Sequence, residues 1–183
     1  MRLTPGTQVA QFRLPALDGT EFDLAQLSGR PYLLAFFRFA ACPFCNLRLR
    51  ELVTRRQELG SSFTIVAVFD SPLLNLRHFA SRHQAPFPVL ADDGGRVHRR
   101  YGVEQSLVGV VKGMVFRLPA LLQAMLVHGY WPTRLRGSLT AMPAEFLVDR
   151  AGEIRVAYYG RDEGDHLAFE EIVRFAATET ESG

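Results

Sequence analysis

Phe36-Phe37-Arg38-Phe39-Ala40-Ala41-Cys42-Pro43-Phe44-Cys45 contains both cysteines of this 183-residue chain, with two residues between them. The residues before the pair, Pro31 to Phe39, are apolar and aromatic and follow Gly29, the pattern of a buried strand. The residues after it, Asn46 to Leu59, are rich in Leu, Arg and Glu and contain no Gly or Pro, the pattern of a helix. The cysteines therefore stand where a strand passes into a helix N-terminus. Free N–H groups and the helix dipole favour an anion at such a place, and a thiolate there has its pKa lowered from about 8.5 to roughly 3.5–7.5. Pro43 suits a first helical turn. The expected roles are Cys42 as an exposed attacking thiolate and Cys45, one turn deeper, as the resolving thiol.

Moving outward, Asp18-Gly19 lies between Phe12-Arg13-Leu14 and Thr20-Glu21-Phe22, which predicts a small hairpin ahead of the main sheet. Phe63 to Phe69 is nearly continuously apolar and β-branched, as in a strand of a parallel sheet covered on both faces. A second helix is expected over Leu73 to His83, after Asp70-Ser71-Pro72, and a short extended piece over Pro86 to Ala91. Arg96 to Tyr101 reads as one or two helical turns. From Leu107 to His128 the spacing is helical but broken by Gly109, Gly113 and Pro119, which predicts two pieces with a kink. Glu145 to Asp149 and Ile154 to Tyr159 read as a hairpin joined through Arg150-Ala151-Gly152. Leu167 to Ala177 reads as a last amphipathic helix, with Asp165 as its N-cap and residues 178–183 as a frayed tail. Two parallel βα units followed by an antiparallel hairpin and a helix make an α/β sandwich with a mixed central sheet.

Composition narrows the chemistry. At 48% hydrophobic residues, 183 residues suffice for one well-buried domain, 1–183, with little left for a second. A formal charge of +2 without a Lys/Arg block gives no reason to expect nucleic acid. The arginines of 48–56 and 96–100 read as solvated helix faces, and His78, His83, His98 and His128 as surface residues. The N-terminus lacks an apolar signal segment, and Leu118 to Val127 is too short to span a bilayer. The expectation is a cytoplasmic protein without a membrane, where a lone C-x-x-C is more often redox-active than structural. Zinc wants four ligands and no second C-x-x-C stands in the chain, so neither metal nor cofactor is expected. A pair of cysteines used as ligands is the rival binding-module reading.

The sequence resembles the thioredoxin superfamily and, within it, the peroxiredoxin-like proteins of the alkyl hydroperoxide reductase/thiol-specific antioxidant class. Pro5-Gly6 to Phe12 with Leu17-Asp18-Gly19 is similar to that class's N-terminal extension, Cys42-Pro43-Phe44-Cys45 to its redox motif, and Met142-Pro143-Ala144-Glu145 to the segment with the superfamily's cis-proline. The resemblance implies a thioredoxin-like three-layer sandwich with an N-terminal extension over 1–30 and a helical insertion over about 104–140. It implies a cis bond at Pro143 and a strand-like edge at Met142 on which a bound peptide docks. Two positions depart from it. The class carries a proline and a threonine seven and three residues before its peroxide-reacting cysteine, where this chain has Ala35 and Phe39. Phenylalanine has no hydroxyl to orient a peroxide. Thiol–disulfide exchange through Cys42 and Cys45, on protein or glutathione substrates, therefore ranks first. Reduction of hydroperoxides through Cys42 is the alternative. Arg38 stands near enough in sequence to stabilise Cys42 by its charge; as a strand residue it could equally point to solvent or pair with a carboxylate such as Glu51. His166 reads as a helix-start residue. Leu107 to Trp131 reads as a cover on the sheet or a homodimer face, with Tyr130 and Trp131 able to line a groove.

Overall fold

The computed structural model describes residues 2–133 and 136–181. Residues 134–135 of the expected insertion and 182–183 of the expected tail lie outside it. The chain runs β1 (Arg13–Pro15), β2 (Glu21–Asp23), β3 (Tyr32–Phe37), α1 (Pro43–Thr54), β4 (Thr64–Phe69), α2 (Leu73–Ala80), β5 (Val89–Ala91), α3 (Arg96–Arg100), α4 (Leu107–Phe116), α5 (Leu118–Leu122), β6 (Ala144–Val148), β7 (Ile154–Tyr159) and α6 (Phe169–Glu181). β1 and β2 form the antiparallel hairpin, and the main sheet has the order β5-β4-β3-β6-β7. β3 is parallel to β4 and antiparallel to β6, which makes the sheet mixed, and β4 is parallel to β5. The fold is the thioredoxin-like sandwich.

β3 occupies the centre because all six of its residues are buried, as its aromatic and aliphatic sequence requires. Its side chains divide by the period of two. Leu33, Ala35 and Phe37 enter the layer built with Leu49 and Leu52 of α1, Leu76 of α2 and Ile172 of α6. Leu34 and Phe36 enter the opposite layer with Phe12, Phe22 and Tyr101. Burying each large side chain here contributes about 1.5–3 kcal/mol, and a slip of one residue in β3 would exchange the two layers. The C-terminal end of β3 is thereby fixed, and the cysteine loop leaves from it.

Some boundaries differ from the expectation. The helix after the cysteines stops at Thr54 and tightens into a 3-10 turn over Arg56–Leu59, with Gly60 at φ 72° behind it. Asp165 does not cap α6; it accepts hydrogen bonds from the Tyr158 hydroxyl and the Arg161 backbone N–H, and the helix begins four residues later. α6 also continues to Glu181, through most of the expected tail.

α4 and the Leu118–Val127 segment bend by 81° relative to one another. The break is at Arg117, and Pro119 stands in the first turn after it. Gly109 and Gly113 do not interrupt α4; they are its buried positions. A Cβ on Gly109 would meet the Met142 sulfur at 2.5 Å, and one on Gly113 would meet Glu163 Cγ at 3.0 Å. The outer side of this insertion exposes Leu107, Val108, Val111, Val115, Phe116, Leu126 and Val127. No single helix among the described residues is long and apolar enough to cross a membrane.

Candidate active site

Cys42 is the N-cap of α1: its sulfur accepts the backbone N–H of Cys45 at 3.5 Å, and Pro43 follows as the first helical residue. Asn46 clamps the loop from one side by donating to the carbonyls of Ala40 at 2.8 Å and Cys42 at 2.9 Å. His83 shares a 2.9 Å hydrogen bond with the Asn46 carbonyl oxygen, and burial holds that imidazole down at about 4, so it acts there as a neutral ring. Both cysteines are free thiols and both are fully buried. This corrects the expectation of an exposed Cys42. Around the motif the chain packs closely: a Cβ on Gly113 would meet Glu163, and one on Gly164 would meet Arg117 and Phe44 of the motif.

The two sulfurs have opposite electrostatics. Burial pushes the Cys42 thiol up. The Cys45 thiol, the Arg38 charge and the Cys45 backbone N–H outweigh that, and Cys42 lies below its ordinary value. Burial, together with the hydrogen bond and charge of Cys42, drives Cys45 well above its own. An attacking sulfur that ionises easily beside one that keeps its proton is the asymmetry disulfide exchange needs.

Arg38 is the charge behind this. It is buried, and its Nη1 lies 3.8 Å from Cys42 Sγ. The same Nη1 pairs with Glu163 Oε1 at 2.7 Å, and Nη2 donates to the Leu139 carbonyl. Of the partners considered from sequence, Glu51 instead binds Arg48, at 2.7 Å.

Arg48 is not on a solvated face. Its guanidinium is buried against Glu145 of β6, with Nε–Oε1 and Nη2–Oε2 both at 2.9 Å, and also donates to the Leu167 carbonyl. His166 Nδ1 stands 3.3 Å from Glu145 Oε1. Burial raises the Glu145 carboxyl, but Arg48 and His166 beside it bring it down to about 2. The cluster ties α1, β6 and the 165–168 segment together immediately behind the motif. An open cleft of about 660 Å³ adjoins it, lined by Phe44 of the motif, Arg48, Arg117 and His166 among others. A second buried pair, His98 with Asp92 at 2.7 Å, sits under the end of β3, where His98 Nε2 also bonds the Phe37 carbonyl. His98 is therefore a core residue, not a surface one.

Met142 and Pro143 flank the site but do not form the expected docking edge. No cis peptide bond occurs among the described residues, so Met142–Pro143 is trans, the form that X–Pro bonds favour by about 0.5–1 kcal/mol. The Met142 N–H is already used, donating to the Glu104 carbonyl at 2.8 Å, and Gly160 N–H donates to the Pro143 carbonyl at 2.8 Å. The insertion itself occupies the edge. Gly160 is held tightly in this arrangement, because a Cβ there would lie 2.4 Å from the Asp165 carbonyl oxygen and 2.7 Å from Pro143 Cγ. Gly160→Ala is expected to cost about 1–3 kcal/mol by overpacking, read as a lowered urea midpoint at unchanged slope. Phe39 is buried under Arg38, whose guanidinium carbon lies 5.4 Å from the ring centre.

Glu163, Glu145, Arg48 and His98 escaped the sequence reading. The one local signal was Glu145, a carboxylate inside the apolar run Ala144–Val148, which demands a buried cation without saying which.

Comparison with known proteins agrees with this architecture. Peroxidoxin BcpB from Mycobacterium tuberculosis superposes with a TM-score of 0.70 at 19% identity, covering 97% of this chain and 98% of that one. The structure of MTB dsbF in mixed oxidized and reduced forms does so with a TM-score of 0.60 at 20% identity, covering 92% and 94%. Peroxiredoxin Q, chloroplastic, of Triticum aestivum is 24% identical over 115 residues, 61% of this chain and 52% of that protein, so the chain spans about half the length of such curated relatives. The AhpC/TSA family model matches residues 5–157. A thiol pair at a strand-to-helix junction, on a mixed five-stranded sheet that this model follows from the opening turn to β7, places the chain in the AhpC/TSA family as a thioredoxin-fold, peroxiredoxin-like thiol redox protein.

Proposed function

We propose that the chain is a thiol–disulfide oxidoreductase in which Cys42 attacks and Cys45 resolves. The observation that carries this reading is Cys42 Sγ capping α1 while Arg38 Nη1 stands 3.8 Å away. In the reducing direction the Cys42 thiolate attacks one sulfur of a substrate disulfide, and the substrate S–S bond breaks. The first substrate thiolate leaves and takes up a proton. Cys45 then attacks the Cys42 sulfur of the mixed disulfide, losing its own proton, and the second substrate thiol departs. Two electrons pass to the substrate and Cys42–Cys45 is left oxidised. A thioredoxin or glutathione system in a reducing cytoplasm returns the electrons.

Hydroperoxide reduction by the same Cys42 is the second reading, supported by membership of the AhpC/TSA family. Phe39 and Ala35 weigh against it, because the position facing Arg38 is a buried ring without a hydroxyl.

Cys42→Ser and Cys45→Ser test the assignment. Cys42→Ser abolishes turnover of a glutathione-linked disulfide. Cys45→Ser accumulates a mixed disulfide on Cys42, visible by mass. Retention of turnover in Cys42→Ser would remove the proposal. In the wild type, sulfenic acid on Cys42 should form slowly with hydrogen peroxide; rapid formation would put the peroxidase reading first.

A further inference from the structure

Glu163 has no role in the exchange described above, yet among the described residues it is the one carboxylate paired with the arginine that serves Cys42. It is buried, and it reaches the active site from the loop after β7, under Gly113 of α4. Arg38 Nη1 is shared between Glu163 Oε1 at 2.7 Å and Cys42 Sγ at 3.8 Å. The charges in this closed space do not balance once the thiol ionises. With Cys42 as a thiol, Arg38 and Glu163 neutralise each other. With Cys42 as a thiolate, two anions face one guanidinium that cannot give up its proton, and a net negative charge is buried. Leaving an uncompensated charge out of water is costly. The surplus is removed if the proton leaving sulfur stays in the cluster.

We propose that Glu163 is the proton store of the dithiol: as Cys42 ionises, its S–H bond breaks, an O–H bond forms on the Glu163 carboxyl, and Arg38 passes from the carboxylate to the thiolate without any change in net charge. The inference rests on the reading of Cys42 as the attacking thiolate. Glu163 acts through Arg38 and is a positioning residue.

The surroundings suit the role. The charged and titratable groups acting on Glu163 are Arg38 from the end of β3, Cys42 at the start of α1, and Asp162 from its own loop; Gly113 of α4 packs against it. Asp162 is itself held by Arg117 at 2.6 Å. Burial holds the Glu163 carboxyl above its ordinary value despite Arg38, with Asp162 adding to the rise. Over a full cycle the protons balance. When the reduced pair reduces a disulfide, the two departing thiolates collect one proton from Cys45 and one from Glu163. The oxidised enzyme is left with an ionised Glu163 paired to Arg38. Re-reduction returns both protons.

The test compares wild type with Glu163→Gln, which keeps the shape and the hydrogen bond to Arg38 but cannot take a proton. A reduced-minus-oxidised infrared difference spectrum of the wild type should show a protonated carboxyl band in the reduced form, shifting with carbon-13-labelled glutamate and absent from Glu163→Gln. In the variant, Arg38 serves only Cys42, so the thiolate should titrate in a single step, with its ionisation constant raised about tenfold or more. A wild type that forms the Cys42 thiolate near neutrality with no such band, or a variant with an unaltered titration, overturns the proton store and leaves the role of Cys42 intact. A wild type with no thiolate near neutrality overturns both.

Discussion

In Arg38→Met, the Cys42 thiol titrates above its wild-type value and attack on disulfides at pH 7 slows by about 10- to 10³-fold. An opposite charge at such close range lowers a pKa by roughly 1–3 units. Removing it leaves burial, which already pushes Cys42 up, and the Glu163 charge, which pushes the same way. The thiolate fraction at neutral pH falls by the corresponding factor. The rate lost at pH 7 is partly recovered at higher pH, because the thiolate is still reached there. Ultraviolet absorbance of the thiolate against pH measures the shift directly, and Arg38→Lys, which keeps a cation, should lie between. A titration unchanged in Arg38→Met would show that the Cys45 thiol and backbone N–H stabilise the thiolate without the arginine.

The second large effect concerns folding. Arg48→Met strands the Glu145 carboxylate inside β6, and breaking a buried pair of this kind costs about 3–5 kcal/mol, a large share of a domain's 5–15. The pH dependence carries a signature. Glu145 is held down to about 2 in the folded chain against an ordinary 4.5. Its ionisation therefore stabilises the fold fully above about pH 4.5, and that stability is lost as the pH falls toward 2. In Arg48→Met this contribution disappears, so wild type and variant converge as the solution is acidified. Urea unfolding at stepped pH measures both the gap at neutrality and its closure; a gap that persists at low pH would rule out Glu145 as the source.

The sheet, the helix after the cysteines and the kinked insertion were legible because each is written in local periodicity: six consecutive buried residues in β3, Pro43 behind a helix-capping sulfur, Pro119 beside the bend. What surrounds the sulfurs was not. Arg38 and Glu163 are 125 positions apart, and Arg48 meets Glu145 across 97; no spacing rule links residues brought together by the crossing of β3, β6 and the last loop. The burial of Cys42 was misread for a similar reason. The motif looks exposed at the mouth of its helix, and only the tertiary packing of segments distant in sequence buries it. Glu104, just ahead of α4, likewise claims the Met142 N–H that the family resemblance had reserved for a substrate.

That enclosure separates two quantities usually taken as one. A thiol with no solvent contact meets a bulky alkylating reagent only during excursions in which its surroundings part. At low reagent concentration the observed labelling rate is the product of the opening equilibrium and the chemistry of the sulfur; at high concentration it levels off at the opening rate itself. The pH dependence of trapping would then flatten even though the ionisation of Cys42 had not changed.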